Sequence, residues 1–367
     1  IYRRRAGTGG LPCGIRRCER TGRREDQLGQ GLYGSDHGHG LRADAHYRHF
    51  GNGLPEPGTC RPDRRGGTRH HGGGADRIAG AIAAGIAARR DAGVTEPLNV
   101  IACENGVRAT TQLREAVLKH LDEAQRDWCE QYVGFPDCSV DRIVPPVAFP
   151  EPLDVAAEAF HEWNVERSAW VGEPPQLSGM HLTDELEAHI ERKLFTLNTG
   201  HCATAYLGHL KGYVTIAEAL ADERIFGLVR GAMRQSGEAL IRKFGFGRAQ
   251  HAAYIDSVLR RFRNPWLRDT VARVGHDPAR KLSAPLYFSY PITLAAGYGL
   301  AVDKLALAAA AALRFDDPAD GQCAEIRETI ARIGLPAAVR RITGIDDDRL
   351  VAALVDAYAR VPSAVGA

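Results

Sequence analysis

No stretch of the 367 residues approaches the ~18–20 consecutive apolar residues that a bilayer-spanning helix needs, so no membrane association is expected. Methionine is nearly missing, with 2 in the whole chain, and the first residue is Ile1. The start also lacks an apolar signal-peptide core, so a cytoplasmic protein is expected, with the chain read as a fragment of it. The eight cysteines contain no Cys-x-x-Cys pair, which excludes the common zinc and disulfide frameworks and reads as reduced thiols. Cys13, Cys18 and Cys60 lie near histidines but fit no ligand spacing, so no metal is expected.

The deepest shortage is local. Residues 1–75 have no Val, Lys or Met, and only eight are Ile, Leu or Phe. That is too little apolar surface to offset backbone ordering entropy, so a disordered, non-native Arg/Gly-rich segment is expected over 1–75. Its 14 Arg against 7 Asp+Glu give it a charge of +7, while 33 Lys+Arg against 38 Asp+Glu leave the remainder at −5. The whole-chain net charge of +2 hides this division.

From Asp76 the pattern is that of a normal globular protein. Helical periodicity runs to about Arg90, LNVIACEN (98–105) reads as a buried strand entering a loop, and 110–120 and 122–132 read as helices. SVDRIVPP (139–146) reads as a strand ended by prolines, and EPPQLSG (173–179) as a linker. Beyond it helices are expected at 183–200, 215–243, 249–262, 302–314, 321–334, 336–342 and 347–360. The expected fold is α/β then all-α: the remnant of a nucleotide-binding domain over 76–178, then a multi-helix domain over 179–367.

The segment ERKLFTLNTGHCATAYLG (191–208) carries the chemistry. On a wheel of 100° per residue with Lys193 at the origin, His201 falls at about 80° and Asn198 at about 140°, along the apolar arc. A lysine on an inward face loses hydration, which favours the neutral amine, a general base. Asn and His beside it can donate hydrogen bonds to a developing alkoxide or a carbonyl oxygen. The plainer alternatives stay open: such a lysine can snorkel, and a lone His can cap.

The spacing Lys-x4-Asn-x2-His at Lys193, Asn198 and His201 resembles the polyol-specific long-chain dehydrogenases. The strings ERKLFTLNTGH, NVIACENGVRATTQL (99–113), VGFPDCSVDRIVPP (133–146), HAAYIDSVLRRFRNP (251–265) and RVGHDPARKLS (273–283) resemble their mannitol-1-phosphate 5-dehydrogenase branch. The resemblance covers about 76–367. It implies a Rossmann-type NAD domain, a helical substrate domain with the active site between them, and reversible oxidation of D-mannitol 1-phosphate to D-fructose 6-phosphate without a metal. By it Lys193 is the base, Asn105 and Asn198 polarise the reacting oxygen, and His201 positions substrate. Asn105 also reads simply as a turn residue. Arg280 and Lys281 can meet the phosphate or form a solvated basic turn. The resemblance breaks at APLYFSYPITLA (284–295), where the branch carries a polar segment with Gly-Asp-Arg-Leu. A hexuronate reductase or an unphosphorylated-mannitol dehydrogenase shares Lys-x4-Asn-x2-His but, by the resemblance, not the flanking string.

The branch should open with a strand, a glycine turn, a helix, and a strand ending in an acid. GTGG at 7–10 neither follows a strand nor opens a helix, and the glycine fingerprint in that setting is absent, which leaves the cofactor-binding residues unassigned. A one-base displacement of the reading frame over 1–74 accounts for this. RHHGGG (69–74), read from CGT CAC CAC GGC GGT GGN one base later, gives Val-Thr-Thr-Ala-Val and then allows Gly. The same shift lets IRRCER (15–20) read Phe-Ala-Asp-Val-Asn, and IYR (1–3) read Phe-Ile-Gly. All three resemble the branch's opening in register, with the glycine turn itself ahead of Ile1. The rival, a real Arg/Gly-rich arm for nucleic acid, accounts for the +7 charge. It leaves the codon coincidences and the missing lysine unexplained, so nucleic acid is not the expected partner. A small sugar or polyol phosphate is, and a monomer is left open. A third possibility is a chain that folds only in its helical half and has no activity.

Overall fold

The computed structural model describes residues 15–18, 73–145, 149–150 and 154–366. The readings of 1–14 and 19–72, including the frame displacement, Cys13, Cys60 and GTGG, lie outside the described residues. Within the segment expected to lack order, Ile15–Cys18 forms strand β1, and helix α1 begins at Gly73 rather than Asp76. The chain divides into two units, Ile1–Leu186 and Glu187–Ala367.

In the first unit α1 (Gly73–Asp91) leads to β2 (Leu98–Asn99), α2 (Ala109–Leu118), α3 (Glu123–Tyr132), β3 (Val133–Gly134) and β4 (Cys138–Asp141). Then come β5 (Val155–Glu158), β6 (Glu162–Glu166) and β7 (Met180–Thr183). β2 and β3 pair in parallel, with Leu98 opposite Val133, and the Val100 N–H extends the ladder to the Gly134 carbonyl at 2.9 Å. β4, β6 and β7 form a second sheet, antiparallel then parallel, and β1 pairs antiparallel with β5. Ala79, Ala83 and Ile86 of α1 pack with Leu113 and Val117 of α2, and with Cys129, Val133 and Phe135, in one apolar cluster. Asp122 caps α3 through a reciprocal box with Gln125, which fixes where that helix begins.

Five strands have no counterpart in the sequence reading: β1, β3 and β5–β7. β5–β7 are four or five residues long and carry Glu, Asn and His, so neither alternation nor length marks them. EPPQLSG runs between β6 and β7, and the first unit extends to Leu186.

The second unit is helical throughout its described residues. α4 (Leu186–Arg192) continues through a π-helical stretch, Lys193–Asn198, into α5 (Thr199–His209). α6 (Ile216–Ala221), α7 (Glu223–Phe244) and α8 (Arg248–Phe262) follow. The single helix expected over 215–243 breaks at Asp222, whose carboxylate accepts from the Arg224 and Ile225 N–H groups and so starts α7. The short α9 (Val271–Gly275) and α10 (Pro278–Leu282) precede α11 (Ser289–Gly297), α12 (Asp303–Leu313), α13 (Gly321–Ile333), α14 (Leu335–Thr343) and α15 (Asp348–Val365). Every residue of α12 from Leu305 to Leu313 is buried, and its alanines let α5, α7 and α15 approach closely. α5 is buried from Cys202 to Gly208. No helix among the described residues is long and apolar enough to cross a membrane.

Candidate active site

The site is built on the π-helical stretch. In an α-helix the Thr199 N–H would serve the Phe195 carbonyl; here it reaches Leu194 and Thr196 instead. The Ser236 hydroxyl of α7 donates to the Phe195 carbonyl, so the widened turn leaves that buried acceptor satisfied. In an i→i+5 turn, with roughly 4.4 residues per turn, residues five apart lie about 50° apart round the axis. The widened turn thus brings Asn198 round towards Lys193, from the 140° of the 100° wheel to about 50°. Such widened turns recur at functional sites.

Packing holds the distortion from three sides. Phe195 stacks on Tyr290 of α11 with ring centroids 4.6 Å apart, and the Thr199 hydroxyl donates to the Tyr287 carbonyl at 2.6 Å. Gly200 lets α5 meet α7: a Cβ there would lie 2.6 Å from the Met233 sulfur. On the third side Thr196 Oγ1 lies 3.3 Å from His251 Nε2 of α8. Burial, with help from Arg192, pushes His251 down from its ordinary 6.5 to about 4. The unfolded chain takes up that proton first, so the contribution is intact above pH 6.5 and lost as pH falls from 6.5 towards 4. A urea-unfolding series should show the second unit losing up to about 3 kcal/mol over that window. In His251→Gln the loss should be absent.

Lys193, Asn198 and His201 are all half-buried. His201 Nε2 lies 2.9 Å from Asp269 Oδ2, and its ring stacks on Phe262 at 4.4 Å. Asp269 in turn accepts from Arg273 Nε at 2.6 Å. Burial raises its carboxyl, but the hydrogen bonds and charges of His201 and Arg273 outweigh that and hold it below the usual range. Sequence reading missed Asp269, which sits outside any periodic element.

The segment at 284–295 supplies a second missed residue. The Tyr287 phenol stands between the side chains of Asn198 and Arg280, interacts with both, and is raised by burial. Arg280 also lies 3.6 Å from Asp277 and is exposed. Lys281 does not sit on a solvated basic turn: it is 7% exposed on α10 and donates to the carbonyls of Val274, at 2.6 Å, and His276. That burial lowers its pKa. Asn105 belongs to the first unit, exposed on the loop between β2 and α2.

The model of the mannitol dehydrogenase Rossmann domain matches residues 70–179, and that of the mannitol dehydrogenase C-terminal domain matches 185–361. The chain belongs to the mannitol dehydrogenase family. It is similar to the crystal structure of D-sorbitol dehydrogenase in substrate-free form, at 22% identity and a TM-score of 0.66 over 78% of this chain and 66% of that one. It is also similar to the Pseudomonas fluorescens mannitol 2-dehydrogenase ternary complex with NAD and D-mannitol, at 23% identity and a TM-score of 0.59 over 79% of this chain and 65% of that one. This chain thus spans about two thirds of the length of those structures. The likeness is one of fold, and with the family it establishes the expected order: a Rossmann-type domain followed by a helical one.

Within that family fold, the described residues fit a dinucleotide in part. The parallel β2–β3 pair ends in the loop that carries Asn105, the side of an α/β sheet where ligands sit. The N-terminus of α2 does not fit a pyrophosphate, because the buried Asp137 carboxylate already accepts from the Thr110 and Thr111 N–H groups at 3.0 Å. One metal-like cluster exists among the described residues: His276, Asp277 and Asp320, with ligand atoms within 4.8 Å of one another. Its carboxylates are already engaged by the Asp277 N–H, Gln322 and Arg280, the partners of a structural network.

Proposed function

We propose that this chain belongs to an NAD-dependent oxidoreductase that interconverts D-mannitol 1-phosphate and D-fructose 6-phosphate. The widened turn that begins at Lys193 and ends at Asn198, bringing the two towards one side of the helix, carries this reading. In the oxidation direction the neutral Lys193 amine takes the proton of the secondary hydroxyl while the carbon–hydrogen bond breaks and the carbonyl forms. Bound NAD supplies the hydride acceptor. Asn198 donates to the reacting oxygen as negative charge builds on it, and His201 holds a neighbouring part of the substrate. By the family resemblance Asn105 is proposed as a second donor to a reacting oxygen.

Arg280 supports a phosphorylated substrate. It is linked to Asn198 through a single phenol, so a guanidinium stands close to the proposed reacting centre. A phosphate there would gain a charge-assisted bond. Lys281, tied to backbone carbonyls, acts by bracing α10. The second reading, an unphosphorylated polyol, is favoured by the polyols that name the two solved relatives, sorbitol and mannitol.

A substrate panel separates the two. It uses a frame-restored, full-length version of the protein, in which the codons ahead of Ala75 are read one base later and the same frame is carried upstream of Ile1 through the expected glycine turn. The expected order of kcat/KM is mannitol 1-phosphate well above mannitol, sorbitol or a hexuronate. Arg280→Gln should then lower kcat/KM for the phosphate ester by about 10–100-fold and barely change mannitol. Equal rates for mannitol and its phosphate would remove the phosphate assignment.

A further inference from the structure

The carboxylate beside His201 determines which ring nitrogen is left for substrate. Asp269 is 8% exposed, and its chain position is fixed by the Ile216 N–H, which donates to its carbonyl at 2.9 Å. The Thr215–Thr270 bridge holds the next residue. Arg273 Nη2, from α9, reaches Asp269 Oδ1 at 2.5 Å, alongside its Nε, and leaves Oδ2 facing His201. Oδ2 is buried and lacks a hydrogen bond of good angle, an ionised carboxylate only accepts, and the imidazole nitrogen 2.9 Å away is its nearest donor, so that nitrogen is the one to carry the hydrogen. The Phe262 ring, from α8, fixes the plane of the imidazole. Cys202 on α5, next in sequence to His201, feels the charges of Asp269, Arg273, Arg280 and Lys281.

We propose that Asp269 is a positioning residue that holds His201 as the Nε2–H tautomer and so makes Nδ1 a hydrogen-bond acceptor for a substrate hydroxyl. Among the described residues, none hydrogen-bonds Nδ1. A polyol offers a row of hydroxyl donors, and a neutral Nδ1 can take one of them. It cannot donate to a ketone oxygen. His201 therefore grips a hydroxyl next to the reacting carbon, in alcohol and ketone alike, while Asn198 alone of the two polarises the reacting oxygen. This inference rests on the polyol reading of the site, but its test does not.

The test uses the full 367-residue chain labelled with ¹⁵N-histidine, at a pH above the imidazole titration. His201 is identified by the signals lost in His201→Gln. The expected spectrum shows a protonated-type Nε2 and a pyridine-type Nδ1. In Asp269→Asn the amide can donate to Nε2, so the signals should exchange roles or average. Asp269→Glu, a second variant in case the first unfolds, should keep the wild-type pattern. An Nδ1–H tautomer in the wild-type chain, or an unchanged tautomer in a folded Asp269→Asn, would overturn the proposal. If the tautomer is as stated but the frame-restored protein oxidises no polyol, the functional reading fails and this one stands.

Discussion

Lys193→Met in the frame-restored protein is expected to lower kcat for polyol oxidation by about 10²–10⁴-fold, the usual worth of a positioned general base. KM should change little, because methionine keeps the length and apolar stem of lysine while removing the amine. The fold should also persist. Lys193 opens the widened turn, whose shape depends on Ser236, Phe195, Thr199 and Tyr287 rather than on the lysine head. Stopped-flow NADH formation with circular dichroism as the folding check measures both. A kcat within a few-fold of the parent would remove Lys193 from the chemistry.

The second large effect concerns NAD. The 367-residue chain, tested as it stands, is expected to bind NAD at least about 100-fold more weakly than the frame-restored version. The pyrophosphate of a dinucleotide is held by backbone N–H groups at a glycine turn that opens a helix. Gly29-Gln30-Gly31-Leu32-Tyr33-Gly34 has the glycine spacing, but TGRREDQL precedes it and SDHGHG follows, which is neither a strand nor a helix pattern. It lies outside the described residues. Losing two such charge-assisted bonds, at about 1.5–3 kcal/mol each, gives 10²-fold or more. Calorimetric titration of both proteins measures it, and equal affinities would show that residues 1–74 build a working cradle without any change of frame.

Much of the second unit was legible because its helices carry their own punctuation: Asp320 before α13, Asp347 before α15 and Gly334 before α14. The break at Asp222 was marked by ADERIF in the same way and was read through. The site was half legible. Lys-x4-Asn-x2-His named the residues, yet the wheel set Asn198 about 140° from Lys193, awkward for two groups that must share one oxygen. That mismatch was the signal for a wider turn. It could not be decided from sequence, because the turn is stabilised by groups on α7 and α11 that lie far along the chain. Asp269 and Tyr287 were invisible for the same reason. Lys281 was misread because charge suggests solvent, while the surrounding carbonyls that bury it are set only by packing. In the first unit β2 and β4 are expected as strands, but β1, β3 and β5–β7 span only two to five residues each and do not announce themselves.

The central statement is that one amine, on a π-helical turn, removes the proton in alcohol oxidation. The pH profile of kcat/KM for mannitol 1-phosphate, run on the frame-restored protein and on its Lys193→Met variant, tests this most directly. If Lys193 is the base, log kcat/KM of the parent rises with unit slope to a plateau, and that limb is missing from the residual activity of the variant. The same limb in both proteins would show that the proton leaves by another group.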